Sequence, residues 1–227
     1  MAASGAPAAD VPVHPTEETA MVSGGGESRD WPATTRYSLS GAPGELGLVQ
    51  DFLNTIEEGS AAPPDLLATL PAAQEWADEV RALWSSLDEA CWGRDLPPLT
   101  ESDRRRLLAI RRRLFRGLFP TTTEDGGPTD VQAHAGVRLT LSRGEVSAEP
   151  TGRGWAQFES ALLLICYRAR LAGHLRRLKT CKSHECDVVF YDRSPNNSAV
   201  WHDVRLCGNR ANVRAHRARH PGRAAVT

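Results

Sequence analysis

The strongest constraint on this chain is the placement of four side chains near its C-terminal end. Cys181 and Cys186 bracket four residues, fifteen more follow, and His202 and Cys207 bracket another four. Two close pairs of thiol or imidazole ligands, each able to fold back as a turn, are what a closed tetrahedral Zn²⁺ site requires. So short a segment cannot bury a sizeable core of its own, whereas a structural zinc ion supplies folding free energy on the order of 10 kcal/mol in peptides of this kind. The pattern predicts a small zinc-folded module, with Cys181, Cys186, His202 and Cys207 as ligands, that unfolds when the metal is removed.

Three other uses of these residues compete. Disulfide pairing leaves one of the three cysteines over and needs an oxidising compartment, for which the sequence offers no sign. A catalytic zinc keeps one position open to water, whereas four donors stand ready here. His184, inside the first pair, competes with His202 for the fourth position, and the equal gaps within the two pairs favour His202.

Around the ligands stand Leu178-Lys-Thr-Cys181, Phe190-Tyr-Asp192-Arg-Ser194-Pro-Asn196, Ser198, Trp201-His202, Cys207-Gly-Asn-Arg210 and Val213-Arg-Ala-His216-Arg-Ala-Arg219. This run resembles the CGNR zinc-finger family, whose name is the tetrapeptide at 207–210. The resemblance implies a C-terminal finger behind a helical N-terminal domain of the ABATE type, and a role as a stress-induced transcription regulator. Family members carry cysteine as the third ligand, where this chain has His202, and an arginine before the tryptophan that is missing at Ala199 and Val200. Farther upstream, Asp51-Phe-Leu-Asn-Thr55 is similar to the Asp-Phe-x-Asn-Thr signature near the start of the ABATE domain. An acid and an amide on a helix more often bond to nearby backbone than form a pocket, so Asp51 and Asn54 are read as packing residues.

Charge sharpens the division. The net charge of -1 hides thirteen Lys/Arg against four Asp/Glu from residue 161 onward, and fourteen against twenty-four before it. A basic module attached to an acidic partner is the usual footprint of polyanion binding. The tail from Arg205 to Arg223 holds six arginines and no acid. No apolar run is long enough to cross a bilayer, and the N-terminus lacks the basic-then-apolar order of a signal peptide. The expected location is cytoplasmic.

In chain order, residues 1–36 are rich in Ala, Pro, Gly and Ser and are expected to be a disordered leader, with Trp31 the one residue suited to docking. A helical domain over 37–178 follows. Leu46, Val49, Phe52, Leu53 and Ile56 recur at helical spacing up to Gly59. Asp65 caps a short turn, and Pro71 opens a helix with Trp76, Val80, Trp84 and Leu87 on its apolar stripe, ending near Cys91, Trp92 and Gly93. Thr100 and Asp103 have capping-box spacing ahead of an arginine-rich amphipathic helix whose arginines are expected to pair with nearby acids. Val137, Leu139, Leu141 and Val146 mark a hairpin that must pack on the helices. A long helix is expected from Trp155 to Leu178, running directly into Cys181 and burying the Cys166 thiol.

The finger is assigned to 179–222, with a tail at 223–227. Val188, Val189, Phe190, Tyr191 and Trp201 are its apolar cap, and Asn196-Asn197 turns the chain. Gly208 and Asn209 serve the turn and cap of a final helix, on which Arg210, Arg214 and Arg217 form one basic stripe with Val213 facing elsewhere. Arg205, Arg219 and Arg223 are assigned to phosphates. The fold class is mainly α with a small β-hairpin, a helical N-terminal domain plus a C-terminal zinc-finger module. The expected function is zinc-dependent DNA binding by Arg205, Arg210, Arg214, Arg217 and Arg219, with the N-terminal domain as effector sensor or homodimerisation unit. The competing reading is a zinc-stabilised protein-interaction module without nucleic acid. No catalytic set stands out, so an enzyme is not expected, nor is membrane binding.

Overall fold

A computed structural model describes residues 29–58, 63–85, 96–120, 132–183 and 186–219. Among these residues there are six α-helices and two small antiparallel hairpins, with roughly half of the residues helical. The expectation of a mainly α chain with one hairpin therefore needs a second hairpin, which lies in the finger. The helices are α1 (Pro32–Thr35), α2 (Leu46–Leu53), α3 (Leu70–Ser85), α4 (Glu101–Leu118), α5 (Trp155–Leu171) and α6 (Asn209–Arg219). The strands are β1 (Val137–Ser142) with β2 (Glu145–Pro150), and β3 (Leu178–Thr180) with β4 (Val189–Tyr191).

The short helix α2 is the hub. All eight of its residues are buried, because α1, α4, α5 and β4 lie close around it and Trp76 of α3 meets its Asp51 and Phe52. Phe52 meets Trp76 of α3 and Phe158 of α5 with ring centroids 5.7 and 5.3 Å apart. Trp31, the one residue of the expected leader suited to docking, is fully buried. Its indole fits a slot made by two glycines: a Cβ on Gly47 would stand 2.1 Å from Trp31 Nε1, and one on Gly41 would stand 2.3 Å from Cδ1. Ordering therefore begins before residue 36, since α1 follows Trp31 directly. Residues 1–28 lie outside the described part, as do Cys91, Trp92 and Gly93.

Local signals explain several boundaries. Thr100 and Asp103 form the expected capping box on α4. Its arginines do pair with acids: Arg104 with Glu101, Arg111 with Asp65 and Arg113 with Glu159, each at 2.6 Å. Asp65 also accepts from the Leu67 N–H at 2.7 Å. The hairpin β1–β2 is anchored at its base, where Pro150 is buried, Gly136 N–H donates to Ser160 Oγ and Arg168 donates to Ala148 O. β2 lies against α5, as expected of a hairpin that must pack on the helices, while Leu139, Leu141 and Val146 are exposed to solvent.

The helix expected to run to Leu178 stops at Leu171. Gly173 takes φ +74°, and the paired bonds Gly173 N–H to Arg170 O and His174 N–H to Ala169 O are those of a Schellman cap. A single 3₁₀ turn over Leu175–Arg177 then leads into β3. Leu178 of β3 and Val189 of β4 join the same buried cluster as Trp31, Phe52 and Phe158. The finger thus shares its core with the helices, as expected of a segment too short to bury a core of its own and joined to the preceding helix with almost no linker.

Candidate metal centre

β3 delivers Cys181 just beyond its last residue, and Cys181 N–H donates to Val188 O at 3.0 Å, closing the first loop. Lys182 N–H reaches across to Val200 O at 2.9 Å and brings the segment before His202 alongside. The connection between the ligand pairs is held by a buried carboxylate. Asp192 accepts from Lys179 Nζ at 2.7 Å and from the backbone N–H groups of Ser194 and Ala199, both at 2.8 Å. Burial alone would raise its pKa, but these donors outweigh it and hold the carboxyl well below the usual range. Asn197, at φ +50°, makes the turn expected of it.

The last ligand sits in a tight π-helical turn, Val204–Gly208. Asp203 caps this turn through Oδ1, which accepts from Arg205 N–H at 2.7 Å and Leu206 N–H at 2.9 Å. Gly208 is buried beside Trp201, where a Cβ would come within 3.3 Å of the indole. Asp203 thus caps the turn, and Gly208 closes it where α6 begins, in close contact with Trp201.

These constraints bring the donor atoms of Cys181, Cys186, His202 and Cys207 within 4.8 Å of one another. Cys186 Sγ lies 3.4 Å from His202 Nδ1, Cys207 Sγ lies 3.6 Å from the same nitrogen, and the two sulfurs are 4.0 Å apart. A tetrahedron with Zn–S of about 2.3 Å and Zn–N of about 2.0–2.1 Å has S···S edges of about 3.8 Å and S···N edges of about 3.5 Å. These three edges agree with those figures to within a few tenths of an ångström. A sulfur–sulfur separation of 4.0 Å also excludes a Cys186–Cys207 disulfide. His184 lies outside the described residues, and it is His202 that enters the cluster.

The three thiols stand close enough to share protons by hydrogen bonding. The Cys181 thiol is pulled down to about 3, first by its hydrogen bond with Cys186, against burial. Cys186 is correspondingly pushed up, first by that bond and then by burial, and Cys207 is raised mainly by burial. A divalent cation relieves the competition by holding all three as thiolates. Cys166 is different: it is buried in α5 with its thiol raised to about 12 by burial, an inert core residue as expected.

Asn54, read as a packing residue, ties the helical unit to the finger. Its Oδ1 accepts from Val189 N–H and its Nδ2 donates to Val189 O, both at 2.8 Å, as a neighbouring strand would. Gln50 Nε2 adds a 3.3 Å bond to the same carbonyl. Asp187 N–H donates to Glu58 at 2.8 Å, Arg193 donates to Gly41 O at 2.6 Å, and the Tyr37 ring stands edge-on to His202. Asp51 instead serves the helical core, accepting from Thr34 N–H at 2.8 Å and Trp76 Nε1 at 2.9 Å. Such long-range partners carry no sequence signal beyond the Asp51–Thr55 motif itself.

α6 leaves the cluster directly after Gly208 and packs chiefly on the π-helical turn. Arg205, Arg210 and Arg214 are all exposed, and Arg217 and Arg219 lie in the last turns of the same helix. Val213 does not face elsewhere. It lines an open groove of about 430 Å³ with Arg205, Leu206, Asn209, Arg210 and Arg214.

Fold and site together define a chain with a C-terminal cluster of three cysteines and one histidine able to hold a metal ion. Residues 177–220 match the CGNR zinc finger family. No curated protein matches the chain. No helix among the described residues is long and apolar enough to cross a membrane.

Proposed function

We propose that this chain is a zinc-dependent DNA-binding protein and transcription regulator, a binding protein and not an enzyme. Zinc is the ion best suited to three thiolates and one imidazole at tetrahedral edges, and a closed set of four protein ligands makes it structural. The observation that carries the reading is the coupling of that centre to α6. Cys207 lies in the turn on which α6 rests, so the ion fixes the base of a helix that bears arginines and no acid. Guanidinium groups held in that way suit guanine edges and phosphates. The helical unit, resembling an ABATE domain, is read as a sensor or dimerisation unit that positions the finger through Asn54 and Gln50.

The test is fluorescence anisotropy with genomic duplexes across a salt series. The zinc-loaded protein is expected to bind with an affinity that falls steeply with salt. The triple variant Arg210→Ala, Arg214→Ala, Arg217→Ala is expected to keep its zinc, lose most affinity and show a salt slope smaller by about 0.9 for each phosphate contact removed. Absence of binding to any duplex at low salt refutes the proposal.

A further inference from the structure

The groove on the finger contains more than charge. Leu206, in the turn capped by Asp203, is 57% exposed, and Val213, in the helix that follows that turn, is 49% exposed. Beside them stand an amide, Asn209, and the guanidinium groups of Arg205, Arg210 and Arg214. The chemistry of a partner must account for all three kinds of side chain.

A phosphate backbone asks for cations and offers Leu206 and Val213 no counterpart. The A-form RNA duplex has a major groove too deep and narrow for side chains to read, and its uracil lacks a 5-methyl group. The major groove of B-form DNA, about 12 Å wide, admits an α-helix. Its edges present guanine O6 and N7 to arginine, adenine N6 and N7 to asparagine, and the thymine methyl to apolar side chains. These are the three partners the groove lacks.

We infer that α6 reads double-stranded DNA in the major groove, with Val213 and Leu206 packed on thymine methyl groups and Asn209, Arg210 and Arg214 bonded to neighbouring purines. The inference rests on the DNA-binding reading above and narrows its ligand to thymine-containing duplexes. Asn209 to Arg214 form the half of α6 nearest the metal centre, so the reading residues are those with the firmest support. Arg217 and Arg219, farther along, are left for phosphates.

The experiment uses the full-length, zinc-loaded chain. Tight-binding duplexes are selected from a random pool, and each thymine of the selected site is then replaced singly by deoxyuridine. Removing one methyl that packs on Val213 or Leu206 is expected to weaken binding about 4-fold. In Val213→Ala the penalty at its thymine shrinks toward onefold while the salt slope is unchanged, and the exposed position keeps folding out of the result. An RNA duplex of the same sequence is expected to bind no better than random sequence. Equal affinity for thymine and uracil at every position, or equal affinity for the RNA duplex, overturns methyl readout while DNA binding stands. Capture of a polyglutamate peptide with no duplex bound at any salt overturns both.

Discussion

Replacing Asn54 by alanine tests whether helical unit and finger act as one. Asn54 is fully buried and makes both of its Val189 bonds at 2.8 Å. In Asn54→Ala the Val189 carbonyl keeps the 3.3 Å bond from Gln50, but the Val189 N–H loses the acceptor it has in the side chain. A buried donor left without a partner costs about 1–3 kcal/mol, and the small cavity adds to it, so about 3 kcal/mol is expected. Asn54→Asp keeps an acceptor for the N–H but turns an oxygen toward the Val189 carbonyl, and is expected to be worse. Because β4 and the Cys186 loop adjoin, the loss also appears in metal affinity. If docking and metal binding are fully coupled, 3 kcal/mol raises the apparent zinc Kd by about two orders of magnitude. Chemical denaturation of the zinc-loaded chain and competition with a chromophoric chelator measure the two quantities separately. A variant whose stability and zinc affinity both stay within about 0.5 kcal/mol of the parent refutes the clamp. Lower stability with unchanged zinc affinity refutes the coupling alone.

Three further outcomes follow from the packing. Gly47→Ala drives a methyl into the Trp31 ring, which Gly41 confines from the other side. A loss of about 3 kcal/mol and a Tm lower by about 6–12 °C are expected by thermal scanning, and no change in Tm contradicts the slot. Asp51 is raised to about 6 by burial, against the donors Trp76 and Thr34. Its folded value exceeds the unfolded value of about 3.9, so its contribution to stability is present below pH 4 and lost as pH rises through about 6, a change of about 3 kcal/mol. Carboxyl ¹³C titration should give a midpoint near 6, and a midpoint near 4 contradicts the burial argument. Chelation is expected to expose the amides of residues 200–219 to hydrogen exchange while α2, α5 and β4 stay protected. Global loss of protection contradicts the shared core.

The metal centre was legible in sequence because ligand chemistry and loop spacing are local: two pairs with equal gaps leave few alternatives. The capping box at Thr100 and the turn at Asn197 were legible for the same reason. What was missed depends on contacts distant in sequence. Trp31 was legible as a docking residue, but its slot was not, because Gly41 and Gly47 that make it stand on another segment. Gly173 is a local stop signal that the apolar period masks, because that period continues through Leu175 and Leu178. Asn54 was rightly read as a packing residue, but nothing local indicated that its partner was Val189. Val213 was placed off the basic stripe because the π-helical turn that brings Leu206 beside it has no sequence signature.

The most direct measurement is the metal content of the purified chain combined with X-ray absorption at the zinc edge. The account predicts one zinc per chain with a first shell of three sulfurs near 2.3 Å and one nitrogen near 2.0–2.1 Å. It also predicts that His202→Ala and Cys207→Ser each lose stoichiometric metal. A chain without metal whose residues 200–219 are nevertheless well protected, or a full complement of zinc in His202→Ala, would contradict it.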